Sequence, residues 1–410
     1  MATGTTPDRR VRGFDALRHR DFRLLWSGQT VSLVGDAAFL TALGWKTFTV
    51  AGSARFGVVL VCQSIAMLAT TLVGGALGDR YPRRRMMVAS DLARFVCVGV
   101  LAVLDATGHL SFASLLVLAT LVGLGDGFFT PAFGGIVPLV VDSGSLASAN
   151  SLIGVARWSS LLIGPSIAAL VYGAAGSSVV FGLDALSFVV SAALLLRARP
   201  RLLELETHEA GMLGQIAAGA RYVARVPWLW VTISLFGVVL MLQLAPQQVL
   251  LPKLVKEHFH HGVGAYGLLM SMVGVGTIVG TVLFGQLQPR RRRGVISYAL
   301  WIANSAAIAG MALSPWFGLS IAFAAARGFC IGFAVAVWET MLMQLVPEHL
   351  LSRVVSLDWF GSFGLMPIGL AVAAGVSGLA APGTIIGVGA GISACLFAVA
   401  LTRPWLRAVD

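Results

Sequence analysis

The sequence predicts an all-α integral membrane protein, with twelve transmembrane helices in two pseudo-symmetric six-helix halves. Three observations carry that prediction: the composition, the length of the apolar runs and the placement of arginine. Of 410 residues, 57% are hydrophobic and 11% charged, too little charge to cover a surface that faces water. Glycine is plentiful, at 48 residues, and the apolar runs are about twenty residues long, which favours spanning helices over barrel strands. A net charge of +11 would point to nucleic acid in a soluble chain. Here, arginines in loops that fix topology account for it, and no nucleic-acid partner is expected.

The apolar runs fall at 24–50, 57–79, 86–106, 112–138, 148–172, 177–197, 228–250, 264–287, 294–314, 317–345, 353–379 and 384–402. Each is long enough to span, since a bilayer core takes about 20 helical residues. The one long polar interval, 198–227, carries Arg199, Arg201, Glu204, Glu206, Glu209, Arg221 and Arg225. It reads as a cytoplasmic linker between an N-terminal half, 1–197, and a C-terminal half, 228–410, with a surface helix from Gly211 to Arg225.

An even number of spans puts both termini on one side. Assigning loops alternately gives 22 Lys and Arg on that side and 3 on the other, namely Arg55, Lys253 and Lys256. The split predicts cytoplasmic termini in a multi-pass protein of the cell membrane. The six arginines up to Arg23 precede every apolar run, and no short apolar stretch with a cleavage site follows, so no cleaved signal peptide is expected.

The halves repeat. Gly78-Asp-Arg-Tyr-Pro-Arg-Arg-Arg85 aligns with Gly285-Gln-Leu-Gln-Pro-Arg-Arg-Arg292 at an offset of 207. Val137-Pro138 aligns with Val346-Pro347, and Gly164-Pro165 falls opposite Met366-Pro367, at nearly the same offset. Parallel repeated halves with a cavity between them are a secondary-transporter architecture.

These motifs carry a resemblance over the whole chain. Gly75-x-x-x-Asp79-Arg80-x-x-Arg83-Arg84 resembles the loop signature between helices two and three of the major facilitator superfamily, with Pro82 where that family usually has Gly. Trp338 through Pro347 to Arg353-Val-x-Ser356, and Thr130-Pro131-Ala132 through Asn150, resemble the branch that contains the enterobactin exporter and the macrolide-efflux proteins. That resemblance implies a secondary active transporter working by alternating access. It also implies export, driven by the proton gradient with no cofactor, of hydrophobic or amphipathic small molecules such as drugs, antibiotics or siderophore-like metabolites. Gly164-Pro165-Ser-Ile-Ala168-Ala169 resembles the antiporter signature, with alanines in place of its last two glycines; small residues still let helices approach, and Pro165 permits a bend.

Charges inside the spans nominate a site, because each costs roughly 2.5–3.5 kcal/mol at the bilayer centre even on the gentlest scale. Asp36 in the first span and Asp126 in the fourth lead as proton sites. A carboxyl in an apolar cavity can hold a proton near neutral pH and release it when wetted or paired. Arg157 is expected as counter-ion to one of them, while Lys46 snorkels to the outer face. In the second half, Arg327 and Glu339 share a helix but lie twelve residues, about 18 Å, apart and cannot pair. Asp184 is expected to bond a neighbouring helix. Asp91 and Arg94, three apart, form a local pair placed behind the arginine loop.

The loop itself is read as a gate. Gly75 and Gly78 let the second helix approach the eleventh, and Asp79 faces the start of that helix near Arg353 and Asp358. Arg80, Arg83 and Arg84 pair with inner-end acids or headgroups. Headgroup contact is expected of Arg290 to Arg293 as well, as an effect secondary to orientation.

Alternatives fare less well. Uptake of a neutral nutrient by proton symport would need a polar lining, for which Gln63, Gln243, Gln247 and Gln248 are the main residues. A membrane enzyme or scaffold is disfavoured, since no HExxH, GxSxG or P-loop occurs. Cys62, Cys97, Cys330 and Cys395 lie in apolar runs without metal-ligand spacing, and His258, His260 and His261 read as a solvated loop, so no metal is expected. The partners are a small-molecule substrate, protons and membrane lipid, and the chain is expected to act as a monomer.

Overall fold

The structure, a computed structural model, describes residues 14–78, 81–201 and 212–407. The described residues are helical and connected by short loops, as an apolar solvent requires: a backbone that meets no water must satisfy its own hydrogen bonds. After a 3-10 turn at Asp15–Arg18, α1 runs over Arg20–Gly78 and crosses twice, broken at Gly52 (φ 82°, ψ 169°). That φ lies where a side chain is strained, so glycine makes the reversal possible. Folding back sets Gly44, eight residues before the break, against the Phe56 ring, four after it; a Cβ on Gly44 would come within 3.1 Å of the ring.

Next come α2 (Arg83–Ala106), α3 (Phe112–Val140), α4 (Leu146–Ala175) and α5 (Ser177–Arg197). Their starts are locally encoded. At α3, the Ser111 hydroxyl accepts from the Ser114 N–H at 3.2 Å and the Ser114 hydroxyl accepts from the Ser111 N–H at 2.9 Å, a reciprocal cap. A surface helix, α6 (Met212–Arg225), lays Gly219 against Arg353. Then follow α7 (Pro227–Lys253, ending in a π turn at Leu254–His258), α8 (Val263–Leu287), α9 (Arg293–Leu313) and α10 (Phe317–Leu345). The eleventh crossing is made of two pieces, α11 (Glu348–Phe363) and α12 (Met366–Val376), with Pro367 opening the second. The chain closes with α13 (Pro382–Leu401) and α14 (Pro404–Arg407).

Twelve crossings result, although eleven helical stretches among the described residues are long and apolar enough to span and the first, Arg20–Thr71, supplies two of them. Large apolar side chains such as Val103 (62%) and Leu170 (74%) point outward, which a water-facing protein would avoid and a lipid-facing one needs. Inside, glycine sets the closest approaches. A Cβ on Gly328 of α10 would strike the Val273 carbonyl oxygen of α8, so these helices touch backbone to backbone.

Two seams join the helices before residue 198 to those after 227. Along α4 and α8, the Ser166 and Ser271 hydroxyls lie 2.7 Å apart, and a Cβ on Gly267 or Gly274 would come within 2.7 Å of the α4 backbone. Along α1 and α12, Gly57 sits against Ala374. At the Gly52 end one apolar cluster crosses both seams, including Trp45, Phe56 and Leu60 with Leu250, Tyr266 and Leu370. At the opposite, arginine-rich end the described residues form separate cores, one holding Phe22, Met87 and Ile136 and another Leu229, Leu342 and Val354. The bundle is therefore sealed at the Gly52 end and parted at the other.

Candidate functional site

Between the seams, one guanidinium organises the first half. Asp91 and Arg94 lie one turn apart on α2, where the Arg94 Nη2 donates to Asp91 Oδ1 at 2.5 Å. Arg94 lies eleven residues, about 16 Å, into its helix. At 3% exposure the guanidinium is buried there, so its remaining donors must find protein partners. Its Nη1 donates to Asp126 Oδ1 on α3 at 2.9 Å and lies 4.0 Å from Asp36 Oδ1 on α1. Gly125 makes room for this: a Cβ there would come within 2.7 Å of Arg94 Cγ. The rings of Phe129 and Phe188 cover the guanidinium at 4.6 and 4.3 Å. Asp184 on α5 packs against Gly35, next to Asp36, and accepts from Ser187 at 3.3 Å.

Four carboxylates thus surround one cation. Arg94, Asp91 and Asp184 are buried, at 3% exposure or less. Asp36 and Asp126 differ, with 29% and 28% of their side chains exposed. The inner ring of the cluster is fixed, and two of its acids reach open space.

This arrangement extends one sequence expectation and corrects another. Asp91 and Arg94 form the expected local pair, and that pair is also the core of the proton-site candidates. Arg157 of α4 is not the counter-ion of Asp36 or Asp126. Its guanidinium instead lies 5.8 Å over the Trp359 ring of α11, and its charge acts on Glu339 of α10. It faces the second half because residue 157 lies on the side of α4 that crosses the cavity. Trp359, half exposed at 50%, stacks on Phe363 with centroids 4.7 Å apart. Asp358 accepts from the Trp338 indole at 3.0 Å. Arg157, Trp359, Glu339 and Asp358 therefore mark a second charged and aromatic patch, shared by both halves.

The second half has no equivalent of the Arg94 cluster among the described residues. Gln243 stands 207 positions after Asp36, the offset of the arginine loops, and is an amide. It donates to Ser305 at 2.6 Å and accepts from Asn304 at 3.2 Å. Arg327 is buried at 7% exposure, and among the described residues it has no hydrogen-bond or ion-pair partner.

At the arginine loop, Asp79 and Arg80 lie outside the described residues, as does any contact of Asp79 with Arg353 or Asp358. Gly75 and Gly78 fall in the last turn of α1. Arg83 donates to the Gly135 carbonyl inside α3 and Arg84 to the Ala198 carbonyl at the end of α5, at 2.7 Å; both bind backbone oxygens, where acids or headgroups were expected. Arg353 packs on α6. Gly164 contacts Ala37 of α1, and α4 continues through Pro165. Lys46 does not snorkel: its ammonium lies 2.6 Å from Asp105, a 5%-exposed carboxylate on α2 that also accepts from Ser177.

The model of the Major Facilitator Superfamily matches residues 25–360. Macrolide efflux protein A of Streptococcus pyogenes is 22% identical over 360 residues, covering 86% of this chain and 88% of its own. Enterobactin exporter EntS of Shigella flexneri is 25% identical over 372 residues, covering 89% and 87%. Among solved structures, a bacterial homologue of the iron transporter ferroportin in its inward-facing state aligns with a TM-score of 0.72 at 17% identity, covering 94% of this chain and 99% of that one. The nucleoside transporter NupG aligns with a TM-score of 0.72 at 13% identity, covering 93% and 99%. At such identities, the structures speak for the fold alone.

Proposed function

We propose, since the chain belongs to the Major Facilitator Superfamily, that this transporter is a proton-coupled exporter of hydrophobic or amphipathic small molecules. The observation that carries the reading is Arg94, held between Asp91 and Asp126 with Asp36 within 4.0 Å. Four acids around one guanidinium leave surplus negative charge in a medium that solvates it poorly, and a proton on Asp36 or Asp126 removes part of that surplus. Protonation of Asp126 also releases one of the bonds that fix Arg94 to α3. Loading and unloading of the site then change how α1, α2 and α3 are tied together.

The arginine-rich end is cytoplasmic in this reading, by the positive-inside rule. The shape seen here is then inward-facing, in a cell membrane, with one chain forming the transport unit and its halves divided at 198–227. Substrate enters from the cytoplasm or inner leaflet and meets the half-exposed Trp359–Phe363 stack, while Asp36 and Asp126 give up their proton to the same space. One charge moving through about 150 mV yields roughly 3.5 kcal/mol, enough for a gradient of some 300-fold. The family resemblances to exporters of a macrolide and of enterobactin support the direction. Uptake of a neutral nutrient draws less support, because Gln243, Asn304 and Ser305 bond one another inside the second half.

Everted vesicles energised by respiration are expected to accumulate a macrolide or enterobactin and to lose it when the proton gradient is dissipated. Asp36→Asn and Asp126→Asn should abolish gradient-driven accumulation while leaving downhill exchange. Full coupling in both variants would remove the Arg94 cluster from the mechanism.

A further inference from the structure

A cavity of about 590 Å³ opens at the arginine-rich end of the second half, away from the Arg94 cluster, lined by Phe284, Gln288, Arg290, Arg293, Thr340 and Gln344, with Pro289. Its chemistry is specific. Arg293 is buried at 9% exposure; its Nη1 donates to Gln344 Oε1 at 2.6 Å, and its buried Nε has no hydrogen-bond partner among the described residues. A guanidinium that lines a cavity with donors to spare is a site for an oxyanion. Arg290 adds a second cation, and Gln288, Gln344 and Thr340 add neutral polar groups, while no acid is among the described residues that line the space. The loop that carries the arginines is itself held in an unusual shape: Gln288 (φ 37°) and Arg292 (φ 57°) both occupy left-handed backbone without being glycine. Such conformations persist where surrounding structure enforces them, which here aims Pro289 and Arg290 at the cavity.

The position selects the ligand. The cavity lies where α8 ends and α9 begins, so it sits at the level where headgroups meet water. One wall is apolar, Phe284 and Pro289, and Leu287 beside it is 62% exposed. We propose that this cavity binds the phosphate of an anionic phospholipid, with Arg293 and Arg290 gripping the phosphate oxygens and the apolar wall taking the start of the acyl region. A free phosphate group offers the same oxygens, so the test separates the two sources.

Native mass spectrometry of the full chain, titrated with phosphatidylglycerol or with phosphatidylcholine of the same acyl chains, reads the first binding event directly. Phosphatidylglycerol should bind about tenfold tighter, and Arg290→Gln and Arg293→Gln should each weaken it roughly fivefold. Arg291→Gln, on the same loop but outside the lining, serves as the control and should bind normally. Arg290 is exposed, so its variant reports on binding even if Arg293→Gln folds poorly. Equal affinity for the two lipids, or unchanged affinity in Arg290→Gln, would overturn the proposal. Displacement of the lipid by millimolar inorganic phosphate would assign the site to free phosphate and overturn the lipid part.

Discussion

Trp45 of the first half stacks on Tyr266 of the second, with ring centroids 6.0 Å apart and planes inclined by 27°. Neighbouring contacts extend this seal: the Lys256 ammonium lies 5.6 Å over Phe48, and Gly44 comes to the Tyr266 hydroxyl. The halves must part here whenever the Gly52 end opens. An aromatic pair adds about 0.5–1.5 kcal/mol beyond its buried area, a two- to tenfold bias toward the closed arrangement. Trp45→Ala should shift the population accordingly. Spin labels at Arg55 and Gly378, read by pulsed electron resonance, should report a larger share of long distances in the variant than in the parent.

Arg94 should be the least replaceable residue of its cluster. Removing one partner from a buried ionic set leaves the others uncompensated, at a cost of about 3–5 kcal/mol. Arg94→Ala is expected to lower the melting temperature sharply, or to prevent recovery of monodisperse protein. Asp91→Asn keeps the shape and one acceptor, and should be tolerated far better. Equal melting temperatures for both variants would mean that Arg94 contributes packing and no electrostatic tie.

Lys46 and Asp105 make a simpler case of the same physics. Lys46→Met strands a carboxylate that is 5% exposed. It should destabilise by about 3 kcal/mol or more, whereas Lys46→Met with Asp105→Leu should recover most of the loss. A double-mutant cycle on thermal stability in detergent measures the coupling. A double variant no more stable than Lys46→Met alone would refute it.

Outside the membrane, Arg201 holds the Asp142 carboxyl below its usual range, first through a direct hydrogen bond and then through its charge. A carboxyl whose folded value lies below its unfolded one contributes stability above the unfolded value, and that contribution disappears as pH falls through the folded one. Both side chains are exposed, at 58% and 63%, so the effect is small. Asp142→Asn should leave stability unchanged below the folded value and slightly reduced at neutrality, flattening the acid side of the melting-temperature profile.

Much of the fold is legible in one dimension, because lipid imposes length and polarity on every span. Runs of about twenty apolar residues mark the crossings, and loop arginines orient them. What sequence does not contain is the direction in which a span's few charges point. Asp91 and Arg94 show their three-residue spacing, but not that α1 and α3 bring Asp36 and Asp126 to the same guanidinium. Arg157 sits mid-span like Arg94, yet points across the cavity to Trp359. Lys46 sits near a helix end, where snorkelling is common, and is instead drawn to Asp105. The one available signal is the depth of Arg94 in its span, where a buried guanidinium calls for acids on other spans.

The α4–α8 seam has a further consequence. It sets Gly267 and Gly274 against α4 backbone, with the Ser166 and Ser271 hydroxyls paired between. Where glycine meets backbone there is no rotamer to reset, so a tilt of α8 against α4 about these points disturbs fewer side chains than a parting of the aromatic and charged contacts at the Gly52 end.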